Sequence, residues 1–309
     1  MSQFQIIIAA ISSIVLFLYG LEGFSKELQA TGGDRLRTWL ARVTSNRYNG
    51  FVIGAFATVL IQSSSAVTSL ATGLVDTGVL SLRSSLGILL GANVGTTATA
   101  WLVSFKLANI GPYFIVLGTV LSMLPSRAKM FGKSIFYFGL IFFALDLVST
   151  ELKPLQQQAW WASAIGYVDS PLPGLIVGAL FTAIVQSSSV ATGLAILLVQ
   201  QGVLPAEGAI AIVIGANVGS TSTALIASLS MGRTAKAAAL ANLLFNACGA
   251  LIVFPFLGAV SKVIMGFSDP AIAVALAHLC FNLFIGALFL PSLQWSQAWL
   301  MSLAARDAK

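Results

Sequence analysis

Four polar runs interrupt an otherwise apolar sequence, and their residue types suit ion binding rather than bond chemistry. Gln62-Ser63-Ser64-Ser65 and Gln186-Ser187-Ser188-Ser189 each offer an amide, three hydroxyls and the free N–H groups of the helix that follows. Such helix starts bind anions. The other two runs, Asn93-Val94-Gly95-Thr96-Thr97-Ala98-Thr99 and Asn217-Val218-Gly219-Ser220-Thr221-Ser222-Thr223, place glycine and small hydroxyl residues inside long apolar segments. The expectation is a helix broken at each, with freed carbonyls holding Na⁺ and a second pair of helix ends aimed at the same volume. Ser, Thr and Gly also let membrane helices pack closely, but two related pairs of runs favour a binding site. Glu22 and Asp146 are acids near the ends of apolar spans, where a functional role and an interfacial one fit equally well. His278, the lone histidine, fits a hydrogen bond tying the last helix to the bundle better than a proton relay. Catalysis finds no support: no His/Cys/carboxylate set has metal-ligand spacing, no glycine-rich loop ends in lysine, and a serine without a base is only a hydroxyl. The expectation is therefore a non-enzyme without cofactor, with Na⁺ as its only metal. Cys248 and Cys280 lie in apolar segments and read as small buried hydrophobes rather than a disulfide or metal site.

The elements that position these residues must lie in a bilayer. Of 309 residues, 57% are apolar and only 8% charged, with a mean hydropathy of +0.92. A soluble domain carries about 25% charged residues, so this chain cannot cover itself for water. The net charge of +6 is spread among apolar spans without a stripe or aromatic-interleaved patch, which excludes a nucleic-acid surface. The first apolar stretch, Phe4–Phe24, lacks the basic start and small-residue cleavage site of a signal peptide and reads as a retained helix.

An internal repeat orders the rest. Displaced by 124 residues, the sequence aligns with itself without gaps from Gly50/Gly174 to Phe105/Leu229, with roughly 26 identities in 56 pairs. The offset also pairs Leu21-Glu22 with Leu145-Asp146 and Ser25 with Ser149. This gives residues 1–124 as one unit, 125–257 as a second, and 258–309 as a last transmembrane helix with a cytoplasmic tail. Each unit reads as a span, a hairpin, a second span and a third: Phe4–Phe24, hairpin 50–78, broken helix 83–105 and Ala108–Leu124; then Ser134–Thr150, hairpin 174–202, broken helix 207–230 and Thr234–Leu257; Pro270–Leu290 follows. The hairpin arms Gly50–Ile61 and Ala66–Gly78 are too short to cross a core of about 30 Å. Their QSSS tips are thus expected at the midplane as re-entrant turns surrounded by protein or water. Counting the hairpins as returning to their own side, the loops with Lys26, Arg35, Arg37, Arg42 and Arg47, with Arg127, Lys129 and Lys133, with Arg233 and Lys236, and with Arg306 and Lys309 fall on one face, and Lys106, Lys153 and Lys262 on the other. The positive-inside rule makes the first face cytoplasmic. Three spans separate the hairpins, so they enter from opposite faces. The expected fold class is an all-α polytopic membrane protein of two inverted-topology repeats, each with a re-entrant hairpin and a discontinuous transmembrane helix.

Paired QSSS hairpins followed by GANVGTT and GANVGST resemble the type II sodium/phosphate cotransporter family. So does Ala241-Asn242-Leu243-Leu244-Phe245-Asn246, which recurs as Ala277-His278-Leu279-Cys280-Phe281-Asn282; Asn242 stands where bacterial members usually carry His. The resemblance runs through nearly the whole chain. It implies phosphate bound by Ser63, Ser64, Ser65, Ser187, Ser188 and Ser189 with Thr97 and Thr221, and Na⁺ held by Gln62, Gln186, Asn93, Asn217, Thr96 and Ser220. Asn246, His278, Asn282, Glu22 and Asp146 are candidate helpers. Many bacterial members continue into a cytoplasmic PhoU-like helical domain, and no such segment is expected here. The implied activity is Na⁺-coupled transport of inorganic phosphate by alternating access across a cell membrane, with lipid, phosphate and Na⁺ as partners and a homodimer left open. The competing readings are an anion channel or uncoupled phosphate exporter, and a symporter of another oxyanion such as sulfate. Opposed short hairpins meeting at the midplane make a barrier and argue against an open pore.

Overall fold

The computed structural model describes residues 3–43, 46–105, 107, 109–124, 129–156, 158, 170–266, 268–294 and 300–301, of which 31–39, 41–43 and 155 are described by their backbone alone. Lys106, Arg127, Arg306, Lys309 and the tail beyond residue 301 lie outside the described residues, as do the side chains of Arg35, Arg37 and Arg42. Among the described residues every regular element is helical. In chain order these are α1 (Gln3–Val43), α2 (Arg47–Ile61), α3 (Ser64–Asp76), α4 (Leu82–Ser104), α5 (Gly111–Met123), α6 (Lys129–Gln156), α7 (Pro171–Val185), α8 (Ser188–Gln200), α9 (Ala206–Ser228), α10 (Arg233–Val253), a 3₁₀ turn (Phe254–Phe256), α11 (Leu257–Met265) and α12 (Pro270–Phe289).

Among the described residues, six stretches are long and apolar enough to cross a bilayer: Gln3–Ala30, Leu82–Ser104, Lys129–Pro154, Ala206–Ser228, Arg233–Met265 and Pro270–Phe289. Large apolar side chains such as Ile184, Tyr113 and Leu251 cover the outside, which suits a lipid solvent. Cys248 and Cys280, expected inside, lie on this outer surface, where a small apolar side chain costs nothing against lipid. The helices α2 and α7 have 15 residues and α3 and α8 have 13, so each reaches only about 20–22 Å. The α5 helix, expected over Ala108–Leu124, has 13 residues as well.

The expected breaks in α4 and α9 are absent: both run as unbroken 23-residue helices through GANVG. Glycine is used there for contact instead of interruption. A Cβ on Gly87, Gly91 or Gly95 would collide with the carbonyls of Arg47, Phe51 and Ala55, so α4 lies backbone to backbone along α2, running in the same direction. Gly215 and Gly219 meet the carbonyls of Leu175 and Ala179 in the same way, joining α9 to α7. Small residues four apart permit this approach, and dispersion between the closely packed backbones holds it in lipid. The hydroxyls of the run turn back onto their own helix: Thr96 to the Ala92 carbonyl at 2.9 Å, Thr97 to Val94 at 2.7 Å, Ser220 to Asn217 at 2.8 Å and Thr221 to Val218 at 2.7 Å. The i→i−4 ladder needs no replacement partners.

A second group is built from α1, α5 and α6. Gly20 approaches Ile141 and Gly23 approaches Tyr137, while Lys133 Nζ reaches Glu27 at 3.6 Å, so α1 and α6 run antiparallel. Gly111 meets Phe143, Gly118 meets Phe136 and Gly132 meets Ser122, so α5 also runs antiparallel to α6. The two groups touch mainly where α1 passes α2, α3 and α8. At the end of α3 and of α8, Gly78 (φ 73°) and Gly202 (φ 66°) take the left-handed conformation that turns the chain into α4 and α9.

Candidate functional site

Each QSSS run forms a tight reversal between two helices. Gln62 closes α2 in the left-handed region (φ 56°, ψ 29°), and Gln186 closes α7 likewise (φ 62°, ψ 22°). A non-glycine residue there costs roughly 1–2 kcal/mol. Each amide offsets part of that by capping its own helix: Gln62 Nε2 donates to the Val59 carbonyl at 2.7 Å, and Gln186 Nε2 to Ala183 at 2.7 Å. Ser63 and Ser187 then return to extended backbone and cap the next helix, their Oγ atoms accepting from Ala66 N at 3.2 Å and Val190 N at 3.4 Å. The N–H groups of Ser64, Ser65, Ser188 and Ser189 precede the first intrahelical bonds and stand at the positive ends of α3 and α8.

Both tips line one cavity of about 320 Å³, with Thr99 and Leu102 of α4 and the α1 face from Leu21 to Gln29. Polar contacts cross between elements at this place. Ser25 Oγ donates to the Gln62 carbonyl at 2.9 Å and accepts from Gln29 Nε2 at 3.0 Å. Thr99 Oγ1 donates to Gln62 Oε1 at 2.8 Å and lies 3.4 Å from Ser189 Oγ of the other tip. Gln186 Nε2 also reaches Ser222 Oγ at 3.3 Å. Gln62 Oε1, Thr99 Oγ1 and Ser189 Oγ thus bring three neutral oxygens together, a donor set suited to a hard cation and not to a soft metal. Beside them, two helix starts and their hydroxyls offer hydrogen-bond donors suited to an oxyanion.

The expected residues separate into two groups. Gln62, Ser63–Ser65, Gln186, Ser187–Ser189 and Glu22 line the cavity. Asn93, Asn217, Thr96, Thr97, Ser220 and Thr221 do not. Asn93 Nδ2 donates to Asn246 Oδ1 at 3.3 Å, and Asn246 Nδ2 to Asn242 Oδ1 at 3.2 Å. His278 Nε2 lies 3.2 Å from Asn217 Oδ1, and Asn282 Nδ2 donates to the His278 carbonyl at 2.9 Å. These buried amides tie α4 to α10 and α9 to α12, the tethering role expected of His278. Asp146 lines a different cavity of about 250 Å³ with Ser149, Gln200 and Gln201, and accepts from Asn109 N at 3.2 Å. Ser25, Gln29 and Lys26 are the cavity residues missed in the sequence, while Thr99 and Ser222 belong to the two polar runs but carried no individual assignment. The pairing of Ser25 with Ser149 in the repeat was a usable signal for the first of the α1 residues, whereas Lys26 has no counterpart to draw the eye.

An apolar exterior, six membrane-length helices among the described residues and a polar cavity built from two helix-start turns define a multi-pass membrane protein. The Na⁺/Pi-cotransporter family pattern matches residues 16–150 and again 146–279, and the chain belongs to that family of transporters. It is 33% identical over 290 residues to YqeW, an uncharacterised protein of Bacillus subtilis, covering 93% of this chain and 94% of that one. It is 33% identical over 288 residues to YjbB of Escherichia coli, provisionally named an inorganic phosphate export protein, covering 91% of this chain but 52% of that one. A 100-residue stretch, 32% of this chain and 14% of the other, is 33% identical to the human sodium-dependent phosphate transport protein 2B. No solved structure matches the chain.

Proposed function

We propose that the protein couples Na⁺ to the movement of inorganic phosphate by alternating access, with phosphate held between the QSSS tips and Na⁺ beside it. The observation that carries this reading is the meeting of both tips at one cavity, with no lysine or arginine at either tip and with Lys26, on the α1 wall, paired to Glu22. Phosphate near neutral pH carries about −1.5 to −2 charges. Helix starts and hydroxyls alone offset only part of that charge, so a co-bound cation belongs to the site; without the anion, cations there repel one another. Each negative charge moved inward against 100 mV costs about 2.3 kcal/mol, which co-transported Na⁺ can offset. Serines 63–65 and 187–189 are assigned to phosphate; Gln62, Gln186 and the Thr99 hydroxyl to Na⁺.

The two hairpins are read as re-entrant and the units 1–124 and 125–257 as inverted repeats. In support, the repeat-equivalent helices α1 and α6 run antiparallel, and the hairpin helices are too short to cross. The name of the Escherichia coli relative favours a second reading for direction, net export of phosphate. Purified protein in proteoliposomes tests the coupling. Radiolabelled phosphate uptake under an inward Na⁺ gradient, competed by arsenate far better than by sulfate, is expected; equal uptake with choline in place of Na⁺ refutes coupling.

A further inference from the structure

We propose that Lys26 is an anion-recruiting site at the mouth of the QSSS cavity, held ready by Glu22 and serving only the face on which α1 ends; the proposal rests on the phosphate reading above. Among the described residues that line the cavity, Lys26 carries the one fixed positive charge and Glu22 the one fixed negative charge. The tips themselves are neutral, so Lys26 is the fixed cation with which an oxyanion arriving at the cavity can pair.

Its setting suits capture and release. Lys26 Nζ sits 2.6 Å from Glu22 Oε1, one helical turn away on α1, and the side chains are 70% and 60% exposed. An exposed i,i+4 pair of this kind is weak. A dianion can therefore take the ammonium from Glu22 at little cost, and three N–H donors on a flexible stem let the lysine serve both partners while it swings. At rest the pair is neutral and the mouth presents no trap for nonspecific anions.

The repeat makes the arrangement one-sided. Glu22 recurs as Asp146, but Lys26 recurs as Thr150, whose hydroxyl donates to the Asp146 carbonyl at 3.1 Å. The second cavity, where Asp146 lies, has no lysine or arginine among the described residues that line it. The acid thus recurs at the equivalent position of both units while the lysine one turn on occurs only in the first, which directs recruitment to the face where the α1 cavity opens.

The test uses the full chain in right-side-out and inverted membrane vesicles, with inorganic phosphate as the probe and Na⁺ held constant. Lys26→Gln is expected to raise half-saturating phosphate about tenfold at low ionic strength from the α1 face, with the maximal rate kept. The effect shrinks as choline chloride is added, because screening reaches a few ångströms near 1 M. From the opposite face Lys26→Gln matches wild type, and Lys26→Arg restores the affinity. Unchanged half-saturation in Lys26→Gln while wild type transports phosphate overturns this inference alone, as does an equal loss from both faces. Absence of phosphate flux in the wild type overturns it together with the phosphate reading.

Discussion

Thr99 Oγ1 donates to Gln62 Oε1 at 2.8 Å while standing 3.4 Å from Ser189 Oγ, so one hydroxyl of α4 joins the tip of its own hairpin to the tip of the other. Its counterpart 124 residues on, Thr223, is half-buried, with its hydroxyl oxygen shielded and unpartnered. If these oxygens hold the coupling ion, Thr99→Val removes a ligand without changing side-chain volume. The Na⁺ concentration for half-maximal transport should rise about tenfold, the equivalent of 1.4 kcal/mol. Phosphate dependence at saturating Na⁺ should change little. Flux measured against Na⁺ at fixed phosphate checks this, and an unchanged Na⁺ curve removes Thr99 from the site.

The helix-start serines should act on the anion. Ser64→Ala or Ser188→Ala takes one donor from a desolvated phosphate and should weaken its binding by about 1.5–3 kcal/mol. Isothermal titration of inorganic phosphate at saturating Na⁺ reads the loss directly. Two variants that bind as wild type while folded place the anion elsewhere.

Glycine should be irreplaceable where α4 meets α2 and replaceable on the open face of α3. Gly91 faces the Phe51 carbonyl, and a leucine there forces α2 and α4 apart, costing about 1–3 kcal/mol or more as for other overpacked sites. Gly73, where an added Cβ would meet nothing within 4 Å, should accept alanine and gain about 0.5–1 kcal/mol of helix stability. Thermal unfolding in detergent should separate the pair by opposite shifts in midpoint; a Gly91→Leu protein as stable as wild type contradicts the close backbone packing.

The inverted arrangement is testable by accessibility. With Cys248 and Cys280 changed to Ala, single cysteines at Ala66 and Val190 stand just past the two tips. A membrane-impermeant thiol reagent should reach position 190 from outside and position 66 mainly in inverted vesicles, and phosphate with Na⁺ should protect both. Labelling of both from the same face, with or without ligand, is incompatible with hairpins entering from opposite sides.

The bilayer setting, the 124-residue duplication and the two hairpin tips were legible because each is a local or periodic property: apolar runs of membrane length, identities at a fixed offset, and polar tetrads between helices too short to cross. The GANVG runs read as breaks in the sequence but are continuous helix, for a physical reason. A missing Cβ serves an interrupted helix and a close helix contact equally well, and only the carbonyls of Phe51 and Leu175, brought alongside by tertiary packing, decide for contact. The same ambiguity hid the fate of Asn93 and Asn217: a polar residue at membrane depth must find partners, but whether those are an ion or Asn246 and His278 depends on which helices adjoin. The composition of the cavity wall was likewise settled by packing. Ser25, Lys26 and Thr99 are far from both tips in the chain, and they reach the site because α1 crosses the first hairpin and α4 lies along α2.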